Sequence, residues 1–70
     1  MNIIVRYATY DVDAQVTAQG MENAGASVFS ITNDLTGWQI WAKCPAEVDA
    51  VFIDAMIQEE RNSIRQRGSE

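Results

Sequence analysis

The sequence predicts an α+β domain with the element order βαββα. Three observations carry this prediction. A β-hairpin is recognisable at 26–43, a β-rich segment and a helix-like segment precede it, and a second helix-like segment follows it. A chain of 70 residues makes one domain. We place the domain at 1–67 and a frayed tail at 68–70.

The first strand is predicted at Asn2–Ala8, a segment rich in β-branched and aromatic residues. Alternation along a strand puts Ile3, Val5 and Tyr7 on one face and Ile4 and Arg6 on the other. We assign the Ile3 face to the core, which leaves Ile4 on the opposite face of the sheet.

The first helix is predicted to begin within 9–13 and to end near Ala24. Three residues can cap its N-terminus, and the sequence does not choose between them: Thr9, Asp11 and Asp13. Ala14, Ala18 and Met21 fall at helical spacing, with Val12 and Val16 beside them, and form a thin stripe of mostly small side chains. Such a stripe would let the helix lie close to the sheet.

Two glycines mark this helix. Gly20 lies inside it and costs about 1 kcal/mol relative to alanine, so we expect either close packing or a bend there. Gly25 is placed to end the helix in the left-handed conformation, directly before the hairpin.

The hairpin consists of strands at 27–32 and 38–43 around a turn rich in turn-forming residues. If Asn33 lies opposite Trp38, one face is largely apolar and the other largely polar. The apolar face then carries Phe29, Ile31, Trp38, Ile40 and Ala42. The other face carries Val28, Ser30, Thr32, Gln39, Trp41 and Lys43. We prefer this register, although a type I turn over 34–37 with Gly37 as a bulge would shift it by one residue.

The second helix is predicted to open at Cys44–Glu47, because proline is favoured at the first helical position. One apolar stripe, assigned to the core, comprises Val48, Val51, Phe52, Ala55 and Met56. A second stripe, roughly 100° around the helix, comprises Ile53, Ile57 and Ile64. A helix running to Arg67 would be about 33 Å long, against about 20 Å for a strand, so its last turns overhang the sheet, fray or pack on another subunit.

These elements favour a three-stranded antiparallel sheet in the order 1-3-2. That arrangement resembles a truncated ferredoxin-like fold that lacks its last strand. The first strand would then be an open edge with unpaired backbone groups, which a symmetry mate or a partner could cover.

Composition excludes several classes of function. The chain has one cysteine and no histidine, so we expect no internal disulfide, no metal site and no cofactor. Ten acidic residues oppose five basic ones, and residues 1–60 hold only Arg6 and Lys43 against nine acids. Direct binding of nucleic acid is therefore disfavoured, because phosphates would be repelled. No signal peptide or membrane span is apparent, and a lone cysteine fits a reducing compartment, so we expect the protein in the cytoplasm.

Catalytic chemistry finds little support. Without histidine there is no Ser-His-Asp or Cys-His system. Cys44 at a helix N-terminus could carry a lowered pKa and act as a nucleophile, but no base or second cysteine accompanies it. The closest carboxylate pairs are solvated in our interpretation: Asp11 with Asp13, Asp49 with Asp54, and Glu59 with Glu60. We therefore expect no enzyme and name no catalytic residue.

Spare apolar and acidic surface is the strongest functional signal. On the sheet face opposite the core we expect Ile4, Val28 and Trp41 beside Lys43, and on the outer stripe of the second helix Ile53 and Ile57. The second helix could also wrap over one of these surfaces and bury it. Acidic residues expected at a partner surface are Asp11, Asp13, Glu22 and Asp34.

Our first hypothesis is a small acidic interaction module that binds and inhibits another protein. In size and charge the chain resembles small phage-encoded inhibitors such as anti-CRISPR proteins. This resemblance implies a target with a basic, nucleic-acid-binding surface and, for a viral protein, action in the host cytoplasm. The alternative is a homodimeric structural or small-ligand-binding domain without catalytic activity.

Overall fold

Three antiparallel strands and two helices form two layers, with both helices on one face of the sheet. The computed structural model describes residues 2–68, and the side chains of residues 2–64. The elements are β1 (Asn2–Ala8), α1 (Asp11–Asn23), β2 (Ser27–Asp34), β3 (Gly37–Cys44) and α2 (Ala50–Gly68). This architecture confirms the predicted α+β class and the βαββα order. Among residues 2–68, neither helix is both long and apolar enough to cross a membrane.

The sheet has the predicted order, β1-β3-β2, with β3 antiparallel to both neighbours. Asn33 pairs with Trp38 and Ile31 pairs with Ile40, which confirms the preferred hairpin register. Leu35 and Thr36 alone form the turn, between the paired residues Asp34 and Gly37.

A β-bulge between Val28 and Ser30 changes the faces of β2. Val28, and not Phe29, pairs with Ala42 and packs against the core. Phe29 instead has 51% of its surface exposed, so the prediction of Phe29 in the core and Val28 on the opposite face was wrong. A bulge inserts one extra residue, and alternation therefore reverses on its N-terminal side.

The faces of β1 are also opposite to the prediction. Ile4 and Ala8 pack against the core, whereas Ile3 and Tyr7 are exposed. The cause lies in β3, whose buried Ile40 and Ala42 pair with Arg6 and Ile4. Residues opposite each other in a sheet share a face, so Ile4, Arg6 and Ala8 must lie beneath the helices.

α1 begins without a side-chain cap and ends as predicted. Tyr10 occupies the N-cap position and makes no capping hydrogen bond, so none of the three candidates is the cap; Asp11 and Asp13 lie in the first turn. At the other end Gly25 has φ of 101°. The N–H of Ala26 donates to the Met21 carbonyl at 3.0 Å and the N–H of Gly25 to the Glu22 carbonyl at 3.0 Å. This is a Schellman motif, with Gly25 in the predicted role.

α2 begins six residues later than Cys44, where its opening was predicted. Residues 45–48 form a turn in which the N–H of Val48 donates to the Pro45 carbonyl at 3.0 Å. Asp49 is the cap: its Oδ1 accepts from the N–H of Val51 at 3.0 Å, and its carbonyl accepts from the N–H of Ile53 at 3.1 Å. The aspartate side chain accepts from one of the backbone N–H groups that have no partner within the helix, which favours Asp49 as the cap. α2 ends at Gly68, and the rest of the predicted tail, Ser69 and Glu70, lies outside the described residues.

The core is built largely from small side chains. Its buried apolar residues are Ala14, Val16, Met21, Ala24, Ala26, Ile40, Ala42, Cys44, Ile53 and Ile57. Ile53 and Ile57 belong to the stripe of α2 predicted to face outward, and they are 0% and 4% exposed. The stripe predicted to face the core is partly outside it, since Val51 and Phe52 are exposed. Because the side chains of α1 are small, α2 packs closely beside α1. This contact places the stripe that contains Ile53 and Ile57 in the core.

Candidate protein-interaction surface

The face of the sheet that carries no helix groups several exposed apolar side chains, and we call it the open face. Its apolar members are Ile3, Val5 and Tyr7 of β1, Phe29 of β2 and Trp41 of β3. Ile3 is 61%, Tyr7 67% and Trp41 37% exposed. Scattered exposed apolar residues are ordinary on a protein surface, whereas a contiguous group of this size indicates a contact surface.

Pairing across the strands makes the open face continuous. Val5 lies opposite Trp41, and Ile3 lies opposite Lys43. The Nζ atom of Lys43 is 5.8 Å from the centre of the Phe29 ring, a cation–π distance that links β3 to β2. Side chains in such cross-strand pairs touch, so the apolar surface extends from β1 to Trp41 of β3, and the Lys43 side chain connects it to Phe29 of β2.

A polar network bounds the open face at the hairpin turn. The Thr32 hydroxyl donates to Gln39 Oε1 at 2.8 Å, and Gln39 Nε2 donates to Asp34 Oδ2 at 3.1 Å. Asp34 Oδ1 accepts from the hydroxyl and the N–H of Thr36 at 2.6 and 2.8 Å. The bond from the Thr36 hydroxyl, followed by that from its N–H, holds the pKa of the Asp34 carboxyl below its usual value.

The predicted apolar site residues separate in the structure. Trp41 and Lys43 lie on the open face, as predicted for the second face of the sheet. Ile4 and Val28 lie on the helix-covered face and pack against the core. Ile53 and Ile57 are buried and have no surface to offer a partner. The prediction that these four residues are exposed was therefore wrong.

Four residues of the open face escaped the sequence reasoning: Ile3, Val5, Tyr7 and Phe29. Alternation grouped Ile3 with Tyr7 correctly, but no feature of β1 told which group the helices would cover. Phe29 owes its place to the bulge, which leaves no signature in this sequence.

The predicted acidic residues divide between the two ends of the domain. Asp11 and Asp13 lie in the first turn of α1, shortly after β1, and the hairpin turn next to Asp34 lies against the end of the same strand. A β-carbon on Gly37 would come 2.8 Å from the Ala8 carbonyl oxygen, which shows how close this contact is. Glu22 is at the opposite end, where its Oε2 accepts from the N–H of Val28 at 2.7 Å.

A second exposed apolar surface lies on α2. Val51 is 74% exposed, and it shares one side of the helix with Asp54, Ala55 and Gln58, since these residues are three, four and seven positions apart. Arg6 Nε of β1 donates to Asp54 Oδ1 at 2.7 Å, so this side of α2 is turned toward β1.

Cys44 is not at a helix N-terminus. It is the last residue of β3 and is buried, and its Sγ lies 3.4 Å from the Val48 carbonyl oxygen. The placement on which a nucleophilic thiol depended was therefore wrong. Within the described part of the chain, no three acidic or cysteine side chains come close enough to hold a metal ion.

Comparison with known proteins finds no matching family model, no similar curated protein and no similar solved structure. Inferences about function therefore rest on the surfaces described above.

Proposed function

We propose that this protein acts by binding another protein through the open face and inhibits that protein by occupying its surface. The observation that carries the proposal is the position of the large apolar side chains. Ile3, Tyr7, Phe29 and Trp41 are outside, while four of the ten buried core residues are alanines. Aromatic anchors on an exposed surface are typical of interfaces.

The energy available from such a contact is substantial. Fully burying a side chain of this size contributes about 1.5–3 kcal/mol, and four of them lie on one face. Binding must also offset the lost translational and rotational freedom of the partners, so burying the whole face is needed for a stable complex. Inhibition by coverage requires no catalytic group and no cofactor.

Charge selects the class of partner. The net charge of the chain is −5, and residues 1–60 contain nine acids against two bases. Such a surface attracts a basic partner over a distance and repels nucleic acid. We propose a target with a basic, nucleic-acid-binding surface, reached in the cytoplasm of the source cell or its host. The likeness in size and charge to phage-encoded inhibitors such as anti-CRISPR proteins supports the same class of target.

The test is a pull-down from the source cell, or its host, with tagged protein as bait and mass spectrometry of what is retained. We expect one stoichiometric partner that is kept by the Leu35→Ala bait, because Leu35 is fully exposed in the turn and off the open face. The same partner is lost with Trp41→Ala and with Tyr7→Ala. Tyr7 is largely exposed, so Tyr7→Ala leaves the fold intact. This variant therefore tests the open face even if Trp41→Ala fails to fold. A partner retained by all baits contradicts the role of the open face.

The acidic character has its own test. Reversing Asp11 and Asp13 to lysine removes the charges nearest the end of β1 without breaking a bond to the sheet. We expect weaker binding and a smaller effect of salt on the association rate. Binding that is unchanged at every salt concentration would exclude an electrostatic contribution from these residues.

A homodimer is the second candidate, because the same open face could bury itself against a second copy. Short chains often gain stability by oligomerisation. Light scattering distinguishes the two: a stable dimer that dissociates with Trp41→Ala supports the homodimeric domain, and a monomer at micromolar concentration contradicts it.

A further inference from the structure

The two edges of the sheet differ in how they are protected. At the β2 edge a bulge interrupts the strand, and the Glu22 carboxylate occupies the N–H of Val28. β1 pairs with β3 over all of its seven residues without a register shift. It contains no proline, and Arg6, its one charged residue, is bound to Asp54. Bulges, charges and prolines are what normally prevent an edge from pairing, so β1 remains open to another strand.

α2 overhangs the open edge. α1 brings Cα atoms within 8 Å of all three strands, whereas no Cα among the described residues of α2 comes that close to a strand. α1 therefore lies over β3, the central strand, and α2 lies about 8–10 Å to the side, as packed helices do. The bond from Arg6 to Asp54 shows that this side is the β1 side. Strands are about 4.8 Å apart, so a fourth strand beside β1 would lie roughly 9.6 Å from β3, directly beneath α2.

This geometry excludes a second copy of the chain at the same edge. Two copies paired through β1 would share a two-fold axis about 7.2 Å from β3, midway between the two β1 strands. Because α2 lies farther out than this axis, the two α2 helices would occupy the same space. A single extended strand has no helix of its own and fits.

We infer that the slot between the β1 edge and α2 accepts an extended, basic, amphipathic strand of the partner protein, which completes a four-stranded sheet. This inference rests on the proposed function and names the segment that the partner supplies. In an extended strand alternate residues direct their N–H and C=O groups outward, so β1 can provide backbone bonds to a fourth strand. One β1 acceptor is already used, because Arg6 Nη1 donates to the Val5 carbonyl at 2.9 Å.

The side chains around the slot determine the chemistry of that strand. On one face its residues would extend the row formed by Ile3, Val5 and Tyr7, which favours apolar residues. On the other face they would lie beneath α2, beside exposed Val51 and Gln58. Between Lys43 and Arg61 the chain has five acids and no base. Asp54 is paired with Arg6, and Glu60 accepts from Asn23 of α1, which leaves Glu47, Asp49 and Glu59 without a cationic partner among the described residues. Charge complementarity thus favours lysine or arginine at every second position.

The test uses a strand tethered to the full chain as the probe. Ile64 lies beside Val12 at the start of α1, so the C-terminal end of α2 is near the end of β1. A seven-residue strand of alternating lysine and valine, as long as β1, is attached after Glu70 through a Gly-Ser linker of about eight residues, which reaches roughly 16 Å. Two matched controls carry proline in place of the valines, or glutamate in place of the lysines.

Hydrogen exchange of the backbone amides measures whether the tethered strand pairs with β1. We expect the lysine–valine tether to slow exchange of the outward β1 amides by about tenfold or more, given the millimolar effective concentration of a tether. The amides of β2 keep their rates, the proline control has no effect, and the glutamate control protects less at low salt. Unchanged β1 exchange, or equal protection by the proline control, overturns the inference.

The same variants serve as baits in the pull-down. A partner captured by the wild-type chain and by the proline control, but not by the lysine–valine chain, supports the slot as its site. A partner captured equally by all three shows that the slot is not used, while the proposed function stands. An empty lane for the wild-type chain counts against the proposed function, and the exchange data still decide whether the slot binds a strand.

Discussion

A β-carbon added to Gly20 would lie 2.5 Å from Ile57 Cα and 2.9 Å from Ile57 N. The backbones of α1 and α2 therefore touch at this position, and only glycine permits the contact. Close packing, one of the two explanations that the sequence suggested for Gly20, is correct, but the neighbour is α2 and not the sheet. The contact holds α2 in the place where it overhangs β1.

We predict that Gly20→Ala destabilises the protein although alanine is the better helix former. The gain in helix propensity is about 1 kcal/mol. Overpacking costs about 1–3 kcal/mol even among side chains, and here the obstacle is backbone, which cannot rotate away. We expect a net loss of about 1–2 kcal/mol in urea denaturation. Gln15→Ala, on the exposed side of α1, is the control and should change stability by less than about 0.5 kcal/mol.

Glu22 protects the β2 edge, so removing its side chain should change the hydrogen-exchange rate of the Val28 amide. Glu22→Ala deletes the acceptor of the Val28 N–H, so we expect faster exchange of that amide and a loss of about 1 kcal/mol. Glu22→Gln keeps an acceptor and removes a negative charge that is unfavourable in the last turn of a helix, so it should retain most of the stability. Equal exchange rates for Val28 in the alanine and glutamine variants would contradict this role.

Asp34 should contribute to the acid sensitivity of the hairpin. Its folded pKa is lowered by hydrogen bonds from Thr36, so the ionised form is the one that the fold stabilises. That contribution is complete above the unfolded pKa of about 3.9 and is lost as pH falls through the lower, folded pKa. We expect the stability difference between the wild-type chain and Asp34→Asn to shrink over this acidic range. In an NMR titration, Thr36→Ala should raise the pKa of Asp34, and Thr9→Ala should leave it unchanged.

Cys44 should behave as a buried structural thiol. It is 3% exposed and directs its Sγ toward the Val48 carbonyl. We expect a thiol reagent to label the native protein far more slowly than free cysteine, and at the ordinary rate in urea. Cys44→Ala should leave partner binding intact. Labelling as fast as free cysteine under native conditions would restore the reactive-thiol hypothesis.

Local chemistry was sufficient for several features of the fold. The turn residues at 33–37 and the apolar alternation of β3 predicted the pairing of Asn33 with Trp38, because a slip of one residue would expose Ile40. Gly25 was predicted as the end of α1 because the left-handed conformation favours glycine. The apolar stripe of α1 identified the buried side in part: Ala14, Val16 and Met21 are buried, whereas Val12 is 61% exposed.

The candidate site was predicted only in part, since just Trp41 and Lys43 of its apolar-face residues lie on the open face. Ile53 and Ile57 show why: α2 carries two apolar stripes, and either could face the core. Sequence spacing identifies such stripes but does not indicate which of them another element of the fold covers.

The sequence by itself determined the order of the elements, the strand pairing and the two sets of residues that alternate along β1. Tertiary structure decided which set is buried. Ile4 and Ile3 are equally apolar, so local preference does not separate them. The choice follows from packing between distant segments: Ala42 opposite Ile4, Asp54 within reach of Arg6, and Ile57 against Gly20. Burial depends on which surfaces meet, and these surfaces are brought together only when the chain is folded.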